Sequence, residues 1–265
     1  MHGSPWAALS RTCLALALLL APSGEGKADE RQVSALGRLE PGLGVVRVAS
    51  PSVGGAVIAS LAIEEGDQVE LGQLLATLDD HALHGAETDR LRAELANAQR
   101  EEKRTLSLSR NSVTSQASLD AANLAVRVAQ ANLAAARARL ALSEIRAPIE
   151  GQILEIHTRP GERVGDDGVL EMGDTKNMMA VAEVYETDIR EVATGQPARI
   201  SSPAFDSPLT GVVQRVGLKV GRMDVVGADP VAKTDARVVE VRIALDSSEP
   251  VKRLTNLQVE VEIQP

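Results

Sequence analysis

The chain contains very few aromatic residues. Of its 265 residues, only Trp6, Tyr185 and Phe205 are aromatic. The sequence therefore offers neither an aromatic core nor a row of rings on which nucleic-acid bases or sugars could stack. Valine, leucine, isoleucine and alanine must supply the core instead. Hydrophobic residues make up 44% of the chain and charged residues 25%, which is typical of a globular protein rather than a disordered chain or a polytopic membrane protein.

Cysteine and basic residues are also scarce. The single cysteine, Cys13, excludes an intrachain disulfide framework and a multi-cysteine metal site. Lysine and arginine number 28 against 37 acidic residues, a net charge of −9 that repels a phosphate backbone, so we expect no nucleic-acid partner. The sequence lacks a Gly-x4-Gly-Lys-Ser/Thr phosphate loop, and its residue order indicates no Ser/His/Asp set. We therefore expect a protein that is not an enzyme.

The first 28 residues have the pattern of an export signal. Arg11 precedes a short apolar run at 13–21, and Pro22 and small residues follow it. A basic flank, a short apolar centre and a small-residue exit are typical of a secretory signal. The run is shorter than the ~20 residues of a membrane-spanning helix. We expect residues 1–28 to be a signal peptide or a short anchor, which places the chain in the periplasm, associated with the inner membrane.

Two copies of one short motif lie 95 to 97 residues apart. Pro51 matches Pro148, and the other matching pairs are Gly66 with Gly161, Val69 with Val164 and Asp79 with Asp174. Each copy has the pattern of short strands joined by tight turns, in which glycine supplies positive φ angles. The candidate turn glycines are Gly54, Gly66, Gly151 and Gly161. Each copy alone buries little apolar area, so we expect residues 49–79 and 145–174 to pair into one flattened β-sandwich.

This unit resembles a biotinyl/lipoyl domain split into two halves. In the intact carrier domain, a lysine at the turn between the halves takes the cofactor. Here the turn follows Asp79 and is replaced by some 65 residues, and the segment Asp80-His81-Ala82-Leu83 holds no lysine. We therefore expect no bound cofactor.

The insert at residues 80–144 is predicted to form two helices. Its composition is dominated by strong helix formers. Its second half has an apolar residue at every seventh position and an alanine three residues later, a coiled-coil seam, at Leu119, Val126, Leu133 and Leu140 and at Ala122, Ala129 and Ala136. The first half has a less regular stripe at Leu83, Leu91, Leu95 and Ala98. Because the polar stretch 109–115 favours a reversal, we expect an antiparallel hairpin with arms of ~42 Å.

The two histidines near the start of this insert can be interpreted in two ways. His81 and His84 are three residues apart beside Asp79 and Asp80, so one helical face could offer two imidazoles to a metal ion. Acidic residues are also favoured at a helix start by the helix dipole, which explains the same pattern without a metal. We adopt the second interpretation and expect no metal site.

A lipoyl-like unit interrupted by a helical hairpin resembles the HlyD-like membrane fusion proteins, the periplasmic adaptors of Gram-negative efflux and secretion systems. The second half opens with Ile145-Arg146-Ala147-Pro148-Ile149-Glu150-Gly151, and the specificity of the likeness comes from the combination of these features. Residues 181–189 and 254–263 look like the DevB branch, which serves ABC exporters. The likeness covers residues 31–265.

The resemblance implies a small β-barrel after the sandwich. Residues 175–265 contain five β-branched or alternating stretches separated by Gly, Pro and Asp. We expect residues 31–48 to supply a strand that feeds this barrel, with 44–49 as that strand. The predicted fold class is mainly β with a long antiparallel α-helical hairpin, built from a split lipoyl/biotinyl-like β-sandwich plus a small β-barrel. The sequence stops at Pro265, where adaptors of proton-driven pumps continue into another β domain, and this favours an ABC-type partner.

The resemblance also suggests a docking site at the hairpin tip. Adaptors that dock TolC-like channels carry an arginine, a leucine four residues later and a serine seven residues after that. Arg104, Leu108 and Ser115 have this spacing, and we assign them to channel docking. The alternative is a solvated helix charge, a hairpin core residue and a helix cap, respectively.

The expected function is that of an adaptor between an ABC permease with its ATPase and a TolC-like outer-membrane channel, assembled as a homo-oligomeric, hexameric ring. Two alternatives stay open at this point. One is a biotinyl or lipoyl carrier subunit of an enzyme complex, and the other is a structural coiled-coil protein of the cell envelope.

Overall fold

The computed structural model describes residues 32–51, 55–110, 115–223 and 236–264. The predicted signal at 1–28 and the candidate turn residue Gly54 lie outside these residues. In the part of the chain that is described, neither long helix has the length and apolar character needed to cross a membrane.

The described residues are mainly β, with two long helices inserted near the middle. The strands are, in chain order, β1 (Val33–Pro41), β2 (Val46–Val48), β3 (Ile58–Leu61), β4 (Gln68–Val69), β5 (Leu74–Leu78), β6 (Glu144–Arg146), β7 (Gly151–Ile156), β8 (Leu170–Gly173), β9 (Met178–Tyr185), β10 (Pro197–Ser201), β11 (Leu209–Arg222), β12 (Arg237–Leu245) and β13 (Gln258–Ile263). The helices α1 (His81–Arg110) and α2 (Gln116–Leu142) lie between β5 and β6, and a single 3-10 turn, Ile189–Glu191, follows β9.

The two copies of the repeat form one β-sandwich. Its sheets have the strand orders β2-β8-β7-β4 and β3-β5-β6, so each sheet contains strands from both copies. One apolar core joins them, with Ile58, Leu75 and Leu78 from the first copy packed among Ile145, Ile153 and Met172 from the second. Neither copy could bury these side chains alone, because each supplies only part of the core.

The pairing of the two copies has approximate twofold symmetry. The Gly66 N–H donates to the Ile153 carbonyl over 2.9 Å, and the Gly161 N–H donates to the Ile58 carbonyl over 2.8 Å. Donors and acceptors are both 95 positions apart. In each case the isoleucine N–H donates back to the residue after the glycine, over 2.9 and 3.0 Å. The internal repeat in the sequence therefore corresponds to reciprocal backbone hydrogen bonds.

The candidate turn glycines differ in their structural roles. Gly66 and Gly161 have φ angles of +93° and +88°, which side chains rarely adopt. Gly151 is no positive-φ turn residue and instead begins β7, where an added Cβ would lie 2.5 Å from the Gly173 carbonyl oxygen. The prediction of a turn at Gly151 is therefore wrong, and a close approach of two strands explains its glycine.

The two helices pack along the predicted seam. Val126, Leu133 and Ala136 of α2 are buried, and the other seam positions are at least partly buried. Leu91 and Leu95 of α1 pack against Leu133 and Ala136. Because only five residues join the helices, this contact requires them to run antiparallel.

One residue predicted for the α1 stripe is misplaced. Leu83 is exposed, whereas Thr88, three residues before Leu91, is buried. Leu83 lies eight positions before Leu91, which rotates it about 80° away from the buried face at 3.6 residues per turn. The apolar character of a residue did not predict here which side chain is buried, since Thr88 takes the inward position.

The remaining strands form a closed antiparallel barrel in the order β1-β13-β10-β11-β12-β9. Alternate residues of β1 point inward, among them Val33, Ala35 and Leu39, and they join a valine- and isoleucine-rich core. The strand that feeds the barrel is β1, not residues 44–49. In that stretch β2 pairs with β8 in the sandwich. The nine alternating residues of β1 span the barrel wall, whereas three residues suffice at the sandwich edge.

We predict that Gly66→Ala and Gly161→Ala each destabilise the sandwich by about 1–2 kcal/mol, the cost of a left-handed backbone at a residue with a side chain. An added Cβ at either position meets no atom within 4 Å, so conformational strain is the only cause. The matched control is Gly85→Ala in α1, also unobstructed but helical, which should stabilise by about 0.5–1 kcal/mol. Thermal unfolding of the three variants checks the prediction, and equal melting temperatures would contradict it.

We also predict that Leu133→Ala loosens the helix pair, since deleting a buried leucine typically costs about 2–5 kcal/mol. Leu124→Ala on the exposed side of α2 is the control and should change stability by less than about 0.5 kcal/mol. Hydrogen exchange of α1 and α2 amides measures the local opening free energy. Equal exchange in the two variants would show that the seam does not hold the helices together.

Candidate functional site

The candidate docking residues lie at the end of the helix pair far from the sandwich. Arg104 and Leu108 are one helical turn apart in the last part of α1, so they share one face. Ser115 immediately precedes α2. The Arg104 side chain is exposed and forms an ion pair with Glu101, one turn earlier. An exposed guanidinium retains further N–H donors that can bind carbonyl or carboxylate oxygens of a partner in a fixed geometry.

Leu108 is not a hairpin core residue. It is 40% exposed, although leucine gains free energy from burial. The core alternative for this residue therefore fails. An exposed leucine beside an exposed arginine offers a partner both an apolar contact and a directional polar contact.

Ser115 has a clear local role. It is the N-cap of α2, with extended backbone angles of φ −81° and ψ 155°, and its hydroxyl accepts a hydrogen bond from the Ser118 N–H over 3.2 Å. This satisfies one of the free N–H groups at the helix start. Gln116 and Asp120, one turn apart, add a side-chain hydrogen bond of 3.0 Å. The geometry therefore supports the cap alternative for Ser115, and the cap leaves the serine exposed at the same end as Arg104.

The inward positions of α1 change from apolar to polar toward this end. The apolar contacts of Leu91 and Leu95 with α2 lie nearer the sandwich. Closer to the tip, the inward positions of α1 are polar, namely Glu102, Thr105 and Ser109. The candidate docking residues therefore lie where α1 turns mainly polar side chains toward α2.

The two histidines near the base of α1 have different partners. The Ser143 hydroxyl donates to the Leu140 carbonyl over 2.7 Å, so it accepts from Nδ1 of His81 over 3.0 Å. His84 instead contacts Asp80 through Nε2 at 3.2 Å. His81 thus connects the start of α1 to the residue after α2. The structure does not bring these two imidazoles to a common point.

Ion pairs line the exposed side of α1. Arg90 donates hydrogen bonds to Glu87, and these bonds lower the pKa of the Glu87 carboxyl group. The same bonds raise the pKa of Arg90. Arg92 pairs with Asp89 in the same way. Because these pairs are exposed and screened by water, they contribute little to the stability of α1.

A charged cluster that the sequence did not indicate joins three strands of the barrel. Arg38 of β1 contacts Glu40 at 2.6 Å, Glu183 of β9 at 3.1 Å and Glu240 of β12 at 3.2 Å. Burial alone lowers the pKa of Arg38, but hydrogen bonds and charge interactions with Glu40 and Glu240 outweigh it and raise the pKa. Strand register brings these residues together, and register is not readable from spacing. The cluster cross-links the barrel wall.

A large part of the chain is similar to known proteins. Residues 45–168 match the family model described as "RND MFP, barrel-sandwich hybrid domain". The chain is 31% identical over 183 residues to the uncharacterized protein YdhJ of Escherichia coli, covering 63% of each protein. It is 31% identical over 180 residues to the cobalt-zinc-cadmium resistance protein CzcB of Cupriavidus metallidurans, covering 62% of this chain and 35% of CzcB.

A solved structure shows the same fold. A MacA-MexA chimeric protein containing the Pseudomonas aeruginosa MexA α-hairpin domain aligns with a TM-score of 0.71 and 23% identity, covering 89% of this chain and 79% of the chimera. The chain spans less than two thirds of the length of the two curated relatives. What residues 45–168 resemble is thus the barrel-sandwich hybrid domain of RND membrane fusion proteins, and the match covers both helices and most of the sandwich.

Proposed function

We propose that the chain is a periplasmic adaptor, the membrane fusion subunit of an export system, and that it links an inner-membrane transporter to a TolC-like outer-membrane channel without being an enzyme itself. One observation carries the proposal: a single sandwich is built from two distant sequence halves with a helix pair inserted between them, and this segment matches the membrane-fusion domain model. A fold match alone does not specify function, but here the matched domain type is itself named for the role.

The dimensions of the helices suit a spacer. At 1.5 Å per residue, the 30 residues of α1 and the 27 of α2 correspond to about 45 and 40 Å. In the proposed assembly, six copies form a ring in which the helix tips contact the channel and the barrels face the transporter. Cargo then crosses the periplasm inside the ring without equilibrating with it. The transporter supplies the work.

We propose an ABC permease with its ATPase as the inner-membrane partner, following the likeness of residues 181–189 and 254–263 to the DevB branch. A specific observation favours an RND-type transporter instead, namely the description of the model that residues 45–168 match. That match begins after β1 and ends before β9, so it includes none of the six strands of the barrel that we propose faces the transporter. Purification of the full-length chain from cross-linked cells, followed by mass spectrometry, separates the two: an ATPase subunit supports the first and an RND pump the second.

The two alternative functions that do not involve transport predict different experimental results. A covalent biotinyl or lipoyl group would add a fixed mass to the intact protein and would support a carrier subunit. Recovery of the cross-linked chain with neither transporter nor channel would support a structural envelope protein. Either result would contradict the adaptor proposal.

We predict that Arg104→Asp removes at least about 90% of the channel recovered with the cross-linked chain, because it reverses a charge exposed at the helix tip. Loss of one desolvated, hydrogen-bonded charge typically costs an interface 2–5 kcal/mol. Arg92→Asp is the matched control: it is also exposed on α1 and paired with an acid three residues earlier, but it lies away from the tip. Circular dichroism and the oligomeric state should match wild type in both variants. Equal channel recovery with Arg104→Asp and wild type would remove Arg104 from the docking site.

A further inference from the structure

A histidine lies between two glutamates on one face of the sandwich sheet β2-β8-β7-β4. Glu155 of β7 and Glu171 of β8 are register partners, and His157 follows Glu155 by two positions, so all three share a face. His157 Nδ1 is 3.8 Å from Glu155 Oε1, and His157 Nε2 is 3.7 Å from Glu171 Oε1. One ligand atom from each side chain falls within 4.8 Å of the others. We call these three residues the Glu–His–Glu cluster.

The cluster contains an unsatisfied polar atom. His157 Nε2 is buried and has no hydrogen-bond partner among the described residues. A buried polar atom without a partner costs about 1–3 kcal/mol. The two glutamates face each other across adjacent strands, and like charges in that position are destabilising. The two carboxylates therefore need a cation, and His157 Nε2 needs a group that accepts its electron pair. A metal ion would supply both at the same place.

Arg47 compensates only part of this charge. Its guanidinium contacts Glu171 Oε1 at 3.2 and 3.3 Å from the neighbouring strand β2. The Arg47 side chain is 58% exposed, so it is free to move away. Among the described residues its guanidinium N–H groups bind Glu171, and His157 Nε2 has no hydrogen-bond partner.

We propose that the Glu–His–Glu cluster binds a divalent transition-metal ion such as Zn²⁺. Imidazole nitrogen and carboxylate oxygen are ligands that this ion accepts at about 2.0–2.2 Å, which puts neighbouring ligand atoms about 3.4 Å apart in a tetrahedral site. The 3.7 Å from His157 Nε2 to Glu171 Oε1 is close to that value. The 3.8 Å contact of Glu155 is made to Nδ1, the other ring nitrogen, so Glu155 has to turn toward Nε2. Glu155 is mostly exposed and can rotate to complete the set, while strand pairing holds the backbones of all three residues in place.

This site is separate from the proposed adaptor role. It lies on the sandwich, involves neither the helix tip nor the barrel, and links β7 to β8. Three protein ligands leave a fourth position for water or another ligand. The bound ion stabilises the sandwich, because an ion that binds the folded chain but not the unfolded one raises its stability. If the cluster does not bind a metal ion, the adaptor proposal is unaffected. If the chain is not an adaptor, the metal-site proposal is unaffected.

The test is a calorimetric titration of the full-length chain, purified without a polyhistidine tag and stripped of metal, with ZnCl2 at pH 7.5. We expect one saturable equivalent and a higher melting temperature with Zn²⁺ than without it. Mg²⁺ should give neither effect, because it prefers six oxygen ligands. His157→Gln and Glu171→Gln should each weaken Zn²⁺ binding by about tenfold or more, the loss that even supporting residues of metal sites produce.

Three further variants keep the result decisive. His84→Gln, an imidazole beside Asp80 outside the cluster, should leave the affinity unchanged. Glu155→Gln alters an exposed side chain and tests the cluster even where His157→Gln disturbs folding. Arg47→Gln should strengthen binding severalfold, because it removes a competing cation. Absence of a saturable equivalent, tight Mg²⁺ binding, or equal losses in His84→Gln and His157→Gln would overturn the proposal.

Discussion

The reciprocal hydrogen bonds between the two repeat copies are the constraint on which the rest of the structure depends. Gly66 binds Ile153, and Gly161 binds Ile58, so the first copy cannot complete its sheets before the second has been reached along the chain. The intervening residues must leave and return at neighbouring points. They do so where β5 pairs with β6 and where the Leu78 N–H donates to the Ser143 carbonyl over 2.9 Å. An insert held at both ends in this way favours two antiparallel helices of similar length.

The same constraint links the barrel to the sandwich. The chain enters through β1 of the barrel, turns at 42–45 into β2 of the sandwich, and returns to the barrel at β9 after β8. In the barrel, β1 pairs with both β9 and β13, strands more than 130 residues further along. Barrel closure therefore needs nearly the whole described chain. Long-range pairings of this kind tend to form slowly in folding, because loop-closure entropy is lost before the contacts form.

Periodic features could be predicted from the sequence, and register-dependent features could not. The 95-residue repeat and the heptads of α2 determined the sandwich halves and the buried face, because periodicity translates directly into position. The feeding strand was placed at 44–49 instead of at β1 because residues 31–48 contain two strand-forming stretches, and the sequence does not show which of them pairs with the barrel. Leu83 was wrongly assigned to the buried face of α1 because its apolar side chain was given more weight than its angular position around the helix. The Arg38 and Glu–His–Glu clusters depend on which residues face each other across strands, and spacing within one strand carries no such information.

A stable helix pair needs buried apolar side chains, whereas the proposed docking needs exposed ones. The sequence of the helices has the first kind near the sandwich and the second kind at the tip. Near the sandwich, leucines and alanines form the seam and His81 connects both helices through Ser143. Toward the tip, the inward positions of α1 become polar while Leu108 turns outward. A leucine left in solvent forgoes roughly 1 kcal/mol or more of burial free energy. A partner that covers it recovers that free energy, whereas a more stable apolar seam at the tip would leave no such surface. The channel docking proposed above would cover Leu108 and use this surface, which is the role that the proposal gives to an exposed leucine at the tip.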